Sequence, residues 1–502
     1  MTFSSLHRSF SGTIAVVALI CLSSCAVPLA PGYQIEKQSI TVRFVPGNPP
    51  HLAIRAQYRL ANVGNAPLDS IELGVPSEKS FGLANLRVKI DGREVTPQCE
   101  SSQTSAPAEG ETAVSEMWPE TCRIPFESHW SRRQRKNLVL EYDLAATPAT
   151  DPRISIASNA FYLNDSGWFP DPISAKALFA KDVVRPDPSD LVVDVPADFV
   201  ATASGQLRGT HKTASETEFR FRLRKNDFDP YVVAGAYQQQ QIPASDVTVS
   251  FWTLQTFPAA ILQQAANRLS ATGSFLASKF GAIQRANESV LILQAPGPGN
   301  SQQQPLDSHS VVTLPGMILF SPPDFSRDTS TGTAPATLQK RLALSWFQHV
   351  ITPRPEAWLL GDSLASYAVA LADEKTAASP ARDDSMRESL TRFDALGNEA
   401  AERPIAFVTS GDTAQQRQMA NLKSRLFLFA LEDKCGRENL ERAIAHMVYA
   451  LRSQEYGYSD FRVALEQECH QDLSSVFATW LDQKGIPADF RARYEINNKS
   501  AK

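Results

Sequence analysis

Histidine is scarce in this sequence, and no two histidines are placed to share a metal. Eight occur in 502 residues. None makes HxxxH, the spacing that lets successive helical turns present two imidazoles to one ion. There is no CxxC pair either, which argues against a cysteine-built zinc site. Charge of one sign is also missing. Lys and Arg number 49 against 54 Asp and Glu, for a net charge of -5, and no polybasic stretch follows the N-terminus. That removes the electrostatic case for nucleic acid. No apolar run reaches the roughly 18 residues of a membrane-spanning helix. Glycine (24) is outnumbered by proline (33), which points to ordered loops and strand edges. Internal repeats are absent.

What is present begins with length. A chain of 502 residues exceeds one core, since single cores stop growing near about 250–300 residues, so two or three domains are expected. Apolar content of 43% and charged content of 21% are those of a globular protein. Near the N-terminus, His7 and Arg8 precede the apolar run TIAVVALICL, which suits a signal peptide. The run ends in Leu22-Ser23-Ser24-Cys25, which resembles a bacterial lipobox. The expectation is a signal over 1–24 and lipidation of Cys25, whose several acyl chains would form a lasting membrane anchor. Ala26 after the cysteine favours the outer membrane of the cell envelope. Residues 25–37 then serve as a tether. Cys21 leaves with the signal, and the remaining Cys99, Cys122, Cys435 and Cys469 suit disulfides in an oxidising compartment. Two local bridges are the natural expectation, although four cysteines allow three pairings.

From 38 to 245 the pattern is strand-like. SITVRFV, HLAIRAQYRL, SIELGV, NLRVKIDG, KNLVLEYDL, DLVVDV, EFRFRLRK and YVVAGAY alternate or run β-branched and aromatic between turn residues. They predict a β-sandwich or saddle-shaped domain, with NAFYLNDSGWFPDP as a long connection across it. After VTVSFWTL the period changes to that of helices. An amphipathic helix over 257–283, the strands SVLILQ and PGMILFSP, and helices over 335–350 and 358–373 predict an α/β lobe. Residues 374–412 are polar and mixed and read as a loop excursion. From 413 the chain reads as helical, closing on a glycine stop and a final extended piece. The overall fold class is therefore multidomain α+β, with domains at 38–245, 246–412 and 413–495.

Three segments then suggest a relative. WFQHVITP, LLGDSLASY and ATWLDQKGIP resemble the segment after the metal-binding helix, the third-ligand segment and the closing W-x-x-x-x-G-x-P of zinc aminopeptidases. Together with the order of parts, they make the chain similar to peptidase family M1, the alanyl aminopeptidase type of gluzincin. The resemblance implies a β-domain, a thermolysin-like lobe and a helical region over roughly 40–495. It also implies where the chemistry would sit. Anchored on Trp346-Phe347, the family's HExxH falls on Lys340, Arg341, Leu342, Ala343 and Leu344. The two ligand positions are thus Lys340 and Leu344, and the general-base position is Arg341. The third ligand falls on Asp362, shorter than the family's glutamate. The glutamate that reads the substrate amino group has no acidic counterpart in HSVVTL, and the oxyanion-steadying tyrosine falls on Asn421. One weak oxygen ligand does not hold a catalytic zinc, which takes three protein ligands and an open position.

Other candidates are weaker. His349 follows the Trp-Phe pair and reads as a helix-surface histidine. His309, with Asp307 and Ser310, reads as a polar loop, because a triad so close in sequence does not converge in space. Lys340 or Arg341 could replace the lost metal charge by pairing with Asp362; the alternative is that both face solvent. The expectation is a non-catalytic, lipid-anchored pseudopeptidase of the bacterial envelope with no cofactor. It would bind a peptide or protein partner, or serve a structural role. The interdomain cleft is the default binding surface, and Trp168, Phe169 and Trp252 either line it or belong to a core. The alternatives are a zinc-dependent aminopeptidase with a rebuilt metal site and an envelope assembly factor.

Overall fold

A computed structural model describes residues 33–499, except 65, 77, 102–119, 146–153, 164–166, 173–188, 224–230, 245–246, 283–289, 295, 297–316, 321–336, 378–380, 398–401 and 410–411. The signal, Cys25 and most of the tether lie outside the described residues. The chain divides between Ala236 and Tyr237 into two compact units.

The first unit is built on an eight-stranded sheet. Its strands are β1 (Tyr33–Val45), β2 (His51–Asn62), β3 (Ala84–Ile90), β4 (Arg93–Val95), β5 (Arg135–Ala145), β6 (Ser189–Pro196), β7 (Gln206–Lys212) and β8 (Glu216–Leu223). They lie in the order β7-β8-β6-β1-β2-β5-β3-β4. Pairing is antiparallel except between β1 and β6. The period-2 alternation read from the sequence decides which face is buried. Ile40, Val42 and Phe44 of β1 and Leu52, Ile54 and Ala56 of β2 enter the core. The intervening positions carry ion pairs, such as Lys89 with Glu141 and Arg43 with Glu216. Two four-stranded sheets complete the unit. In one of them Cys99 and Cys122 face each other on neighbouring strands and form a disulfide. Trp168 and Phe169 are fully buried within this unit's core, and the Tyr142 hydroxyl donates to the Trp168 carbonyl at 2.9 Å. Of the two readings open for these aromatics, the core one holds.

The second unit opens with a mixed sheet of β9 (Gln238–Ala244), β10 (Val247–Thr253), β11 (Val290–Gln294) and β12 (Met317–Phe320), in that order. β9 is antiparallel to β10 and the others are parallel. Pairing of β9 with β10 draws residues 238–244 into this unit, which moves the boundary from the expected 245 back to 236. Helix α1 (Ala259–Phe280) buries Leu262, Ala265, Ala266, Leu269 and Leu276 on one stripe, the 3.6-residue pattern of an amphipathic helix. Next come α2 (Thr337–Leu344), a π-helical turn over Ser345–Val350, and α3 (Trp358–Ala377). They are followed by α4 (Ala381–Leu396), α5 (Ala414–Cys435), α6 (Arg437–Ala450), α7 (Tyr458–Cys469), α8 (Ser474–Leu481) and α9 (Ala488–Lys499). α3 is buried almost all round, which makes it the central helix. One apolar core runs from the sheet through the last helices, so the lobe and the helical region form a single unit rather than two domains. The expected loop over 374–412 contains α4, which buries Met386, Leu390 and Phe393. The expected terminal extended piece is α9, whose Phe490 packs on Trp480. In both places the apolar residues are spaced for a helix within a polar composition, and packing overrides the composition. Thr413 caps α5 reciprocally with Gln416, a capping box. Cys435 and Cys469 close a disulfide between the ends of α5 and α7.

Candidate functional site

Three helices of the second unit bring their polar residues to one place. Lys340 comes from α2, Asp362 from the first turns of α3, and Asn421 and Arg425 from α5. The last two lie four residues apart and so share a helix face. Lys340 Nζ is 2.5 Å from Asp362 Oδ1. Asn421 Nδ2 donates to Asp362 Oδ2 at 2.7 Å, and Arg425 stands 3.5 Å from the same oxygen. Beneath this group the Ser363 hydroxyl bonds the Ser424 hydroxyl at 2.9 Å, fixing α3 against α5.

The Asp362 side chain is 6% exposed, and Lys340 and Arg425 keep 18% and 23%. Burial works to protonate Asp362. Attraction to Lys340 and Arg425, with hydrogen bonds from Lys340 and Asn421, outweighs it and holds the carboxyl well below the usual range. Burial also pushes the Lys340 ammonium down to about 8, against the opposing pull of Asp362 and with added repulsion from Arg425 and Arg341. At neutral pH the group is therefore ionic, with at least two cations on one carboxylate.

Of the positions implied by the sequence, Lys340, Asp362 and Asn421 converge. Arg341 is buried next to Lys340 in the chain, and Leu344 is in the apolar core. Both cations therefore depart from the solvent-facing alternative. Arg425 was missed by the sequence reading, although its place one helical turn after Asn421 was the signal. His349 lies in the π-helical turn with its ring nitrogens buried. Burial pushes the imidazole down to about 4, so it is neutral. His309, Asp307, Ser310 and the HSVVTL stretch lie outside the described residues.

These residues do not fit a zinc ion. The carboxylate oxygens are already taken by an ammonium and an amide. A protonated lysine has no lone pair, a guanidinium cannot be deprotonated in a protein, and both would repel a divalent cation. Among the described residues, no three His, Cys, Asp or Glu side chains are grouped to hold a metal.

Comparison with known proteins gives the fold its relatives. No protein-family model and no curated protein sequence matches the chain. Its fold is that of the M1 zinc metallopeptidase of Deinococcus radiodurans, with a TM-score of 0.57, 16% identity, and coverage of 91% of this chain and 95% of that one. A variant of the same enzyme bound to a Tyr-Ser-Ala substrate gives a TM-score of 0.57 at 15% identity, covering 91% and 95%. At such identity the likeness concerns the fold alone.

Proposed function

We propose that this protein is a non-catalytic, aminopeptidase-like lipoprotein of the bacterial envelope, which uses an emptied peptidase scaffold to bind a peptide or protein partner. The observation that carries this reading is the Lys340–Asp362 ion pair at 2.5 Å, in the place where the resemblance would put the metal. Hydrolysis on such a scaffold needs a Lewis acid to polarise the carbonyl and a base to take a proton from water. Lys340 stands at a ligand position and Arg341 at the base position, and neither can supply that chemistry while charged. Asn421 stands where a phenol would steady the oxyanion, and its amide is committed to Asp362. The lipobox supports attachment to the membrane through Cys25.

The deciding experiment quantifies zinc in the purified full chain after dialysis against trace zinc, with aminopeptidase turnover followed on the same sample. No bound zinc and no turnover are expected. Near-stoichiometric zinc with turnover would return the chain to the active metallopeptidases with a rebuilt site. For the anchor, Cys25→Ser is expected to move the protein from the membrane to the soluble fraction, and unchanged membrane retention would count against lipidation.

A further inference from the structure

Charge counting at the Asp362 site leaves a surplus. Lys340 and Arg425 face one carboxylate. Among the described residues, no second carboxylate stands within ion-pair distance of Lys340 or Arg425. Arg425 is also only partly satisfied. Its nearest anionic partner is 3.5 Å away, and its Nε hydrogen is buried with no hydrogen-bond partner among the described residues. A buried donor left unmade is costly, and a buried charge is stable only when paired. Nevertheless both cations keep some solvent access, at 18% and 23% of their side chains, whereas Asp362 is nearly closed off.

We infer that Lys340 and Arg425 form a binding site for the carboxylate of a peptide or other acid, with Asp362 and Asn421 holding the two cations in place. This deepens the reading of the protein as a metal-free binding scaffold and rests on it. The ligand class follows from the charges and their geometry. One surplus positive charge between an ammonium and a guanidinium is neutralised by one monoanion. A planar guanidinium fork matches a carboxylate through paired N–H···O bonds. A phosphate group, nearer to two negative charges at neutral pH, would overcompensate. The scaffold's preference is thereby reversed, from a site for a cation to one for an anion.

The test measures thermal stability of the full chain in detergent with three probes: N-acetyl-Ala-Ala bearing a free C-terminal carboxylate, the same peptide as its C-terminal amide, and inorganic phosphate. The acid peptide is expected to raise the melting temperature by roughly 3 °C at a tenfold excess over its Kd, while the amide and phosphate leave it unchanged. Arg425→Gln is expected to abolish the shift. Arg425→Lys, which keeps the charge and loses the fork, should weaken binding about tenfold. An equal response to acid and amide, an equal response to phosphate, no response at all, or an undiminished shift in Arg425→Gln would each overturn the assignment. Zinc is quantified on the same samples. Bound zinc sinks the metal-free reading itself, whereas absent zinc with no acid-specific shift sinks only the carboxylate site.

Discussion

Helix α5 carries two buried charge sites, two residues apart in sequence and so about 200° apart around the helix. At the first, Lys423 and Glu402 are both fully buried. The ammonium reaches Glu402 Oε1 at 3.1 Å and also the Gln483 carbonyl, while Glu402 Oε2 accepts from the Gly485 N–H at 2.7 Å. Charges cancel, and the partners come from two separate stretches of chain. At the second, Asp362 meets Lys340 and Arg425, the charges do not cancel, and solvent still reaches both cations. The balanced pair has the form of a structural clamp, tying α5 to Glu402 and to the turn at 483–485. The unbalanced cluster has the form of a site awaiting something. Burial of charge is common to both, so charge balance and access are what separate a clamp from a receptor.

The sharpest way to break this contrast is to remove one member of the clamp. Glu402→Ala should destabilise by about 3–5 kcal/mol, because it strands a buried ammonium. Glu402→Met with Lys423→Met should recover most of that loss in urea denaturation. Asp362→Ala should cost less, about 1–3 kcal/mol, since its cations can turn to water. An unchanged melting temperature would remove the ion pair from the structural account.

Acidity separates the sites further. Asp362 titrates below its unfolded value, so its stabilisation is present above about pH 3.9 and is lost as pH falls further. Asp362→Asn should flatten that limb. His349 has its folded value lowered to about 4. The unfolded chain therefore takes up its proton first, and stability declines as pH drops from about 6.5 towards 4. His349→Phe should remove that decline. Denaturation midpoints across pH 3–8 check both; a midpoint that does not vary over this range would refute both assignments. The smallest effect belongs to Asn421→Ala, about 0.5–1.5 kcal/mol for one hydrogen bond, with the ion pair intact. A larger loss would mean that the amide holds the cluster together.

Much of this was legible in the sequence. The strands of the first unit follow from strict alternation in segments such as HLAIRAQYRL, and α1 from its apolar stripe. The resemblance to zinc aminopeptidases implies one common place for Lys340, Asp362 and Asn421, and all three do meet. Gly485 of ATWLDQKGIP has φ +75, a left-handed turn that glycine adopts without strain, and it presents its N–H to Glu402. What was not legible is long-range. Arg425 and the Lys423–Glu402 pair depend on how α5 lies against distant segments, which no local pattern reports. α4 was hidden because its few apolar residues sit among charges, and only the surface it packs against makes it a helix. The clean division at 245 failed because β9, rich in glutamine, gives no sign of which sheet it will join.

Gly361, immediately before Asp362, bears on how freely this protein can vary. A Cβ there would come within 2.9 Å of the Tyr456 hydroxyl and 3.2 Å of the Phe347 carbonyl, two groups already bonded to each other at 2.9 Å. Even alanine would have to push that buried phenol off its acceptor. In a saturation library selected for folding, position 361 should therefore return glycine almost alone, while Asp362 tolerates several polar residues. The narrowest bottleneck for sequence drift at this site lies in an uncharged residue that takes no part in its chemistry.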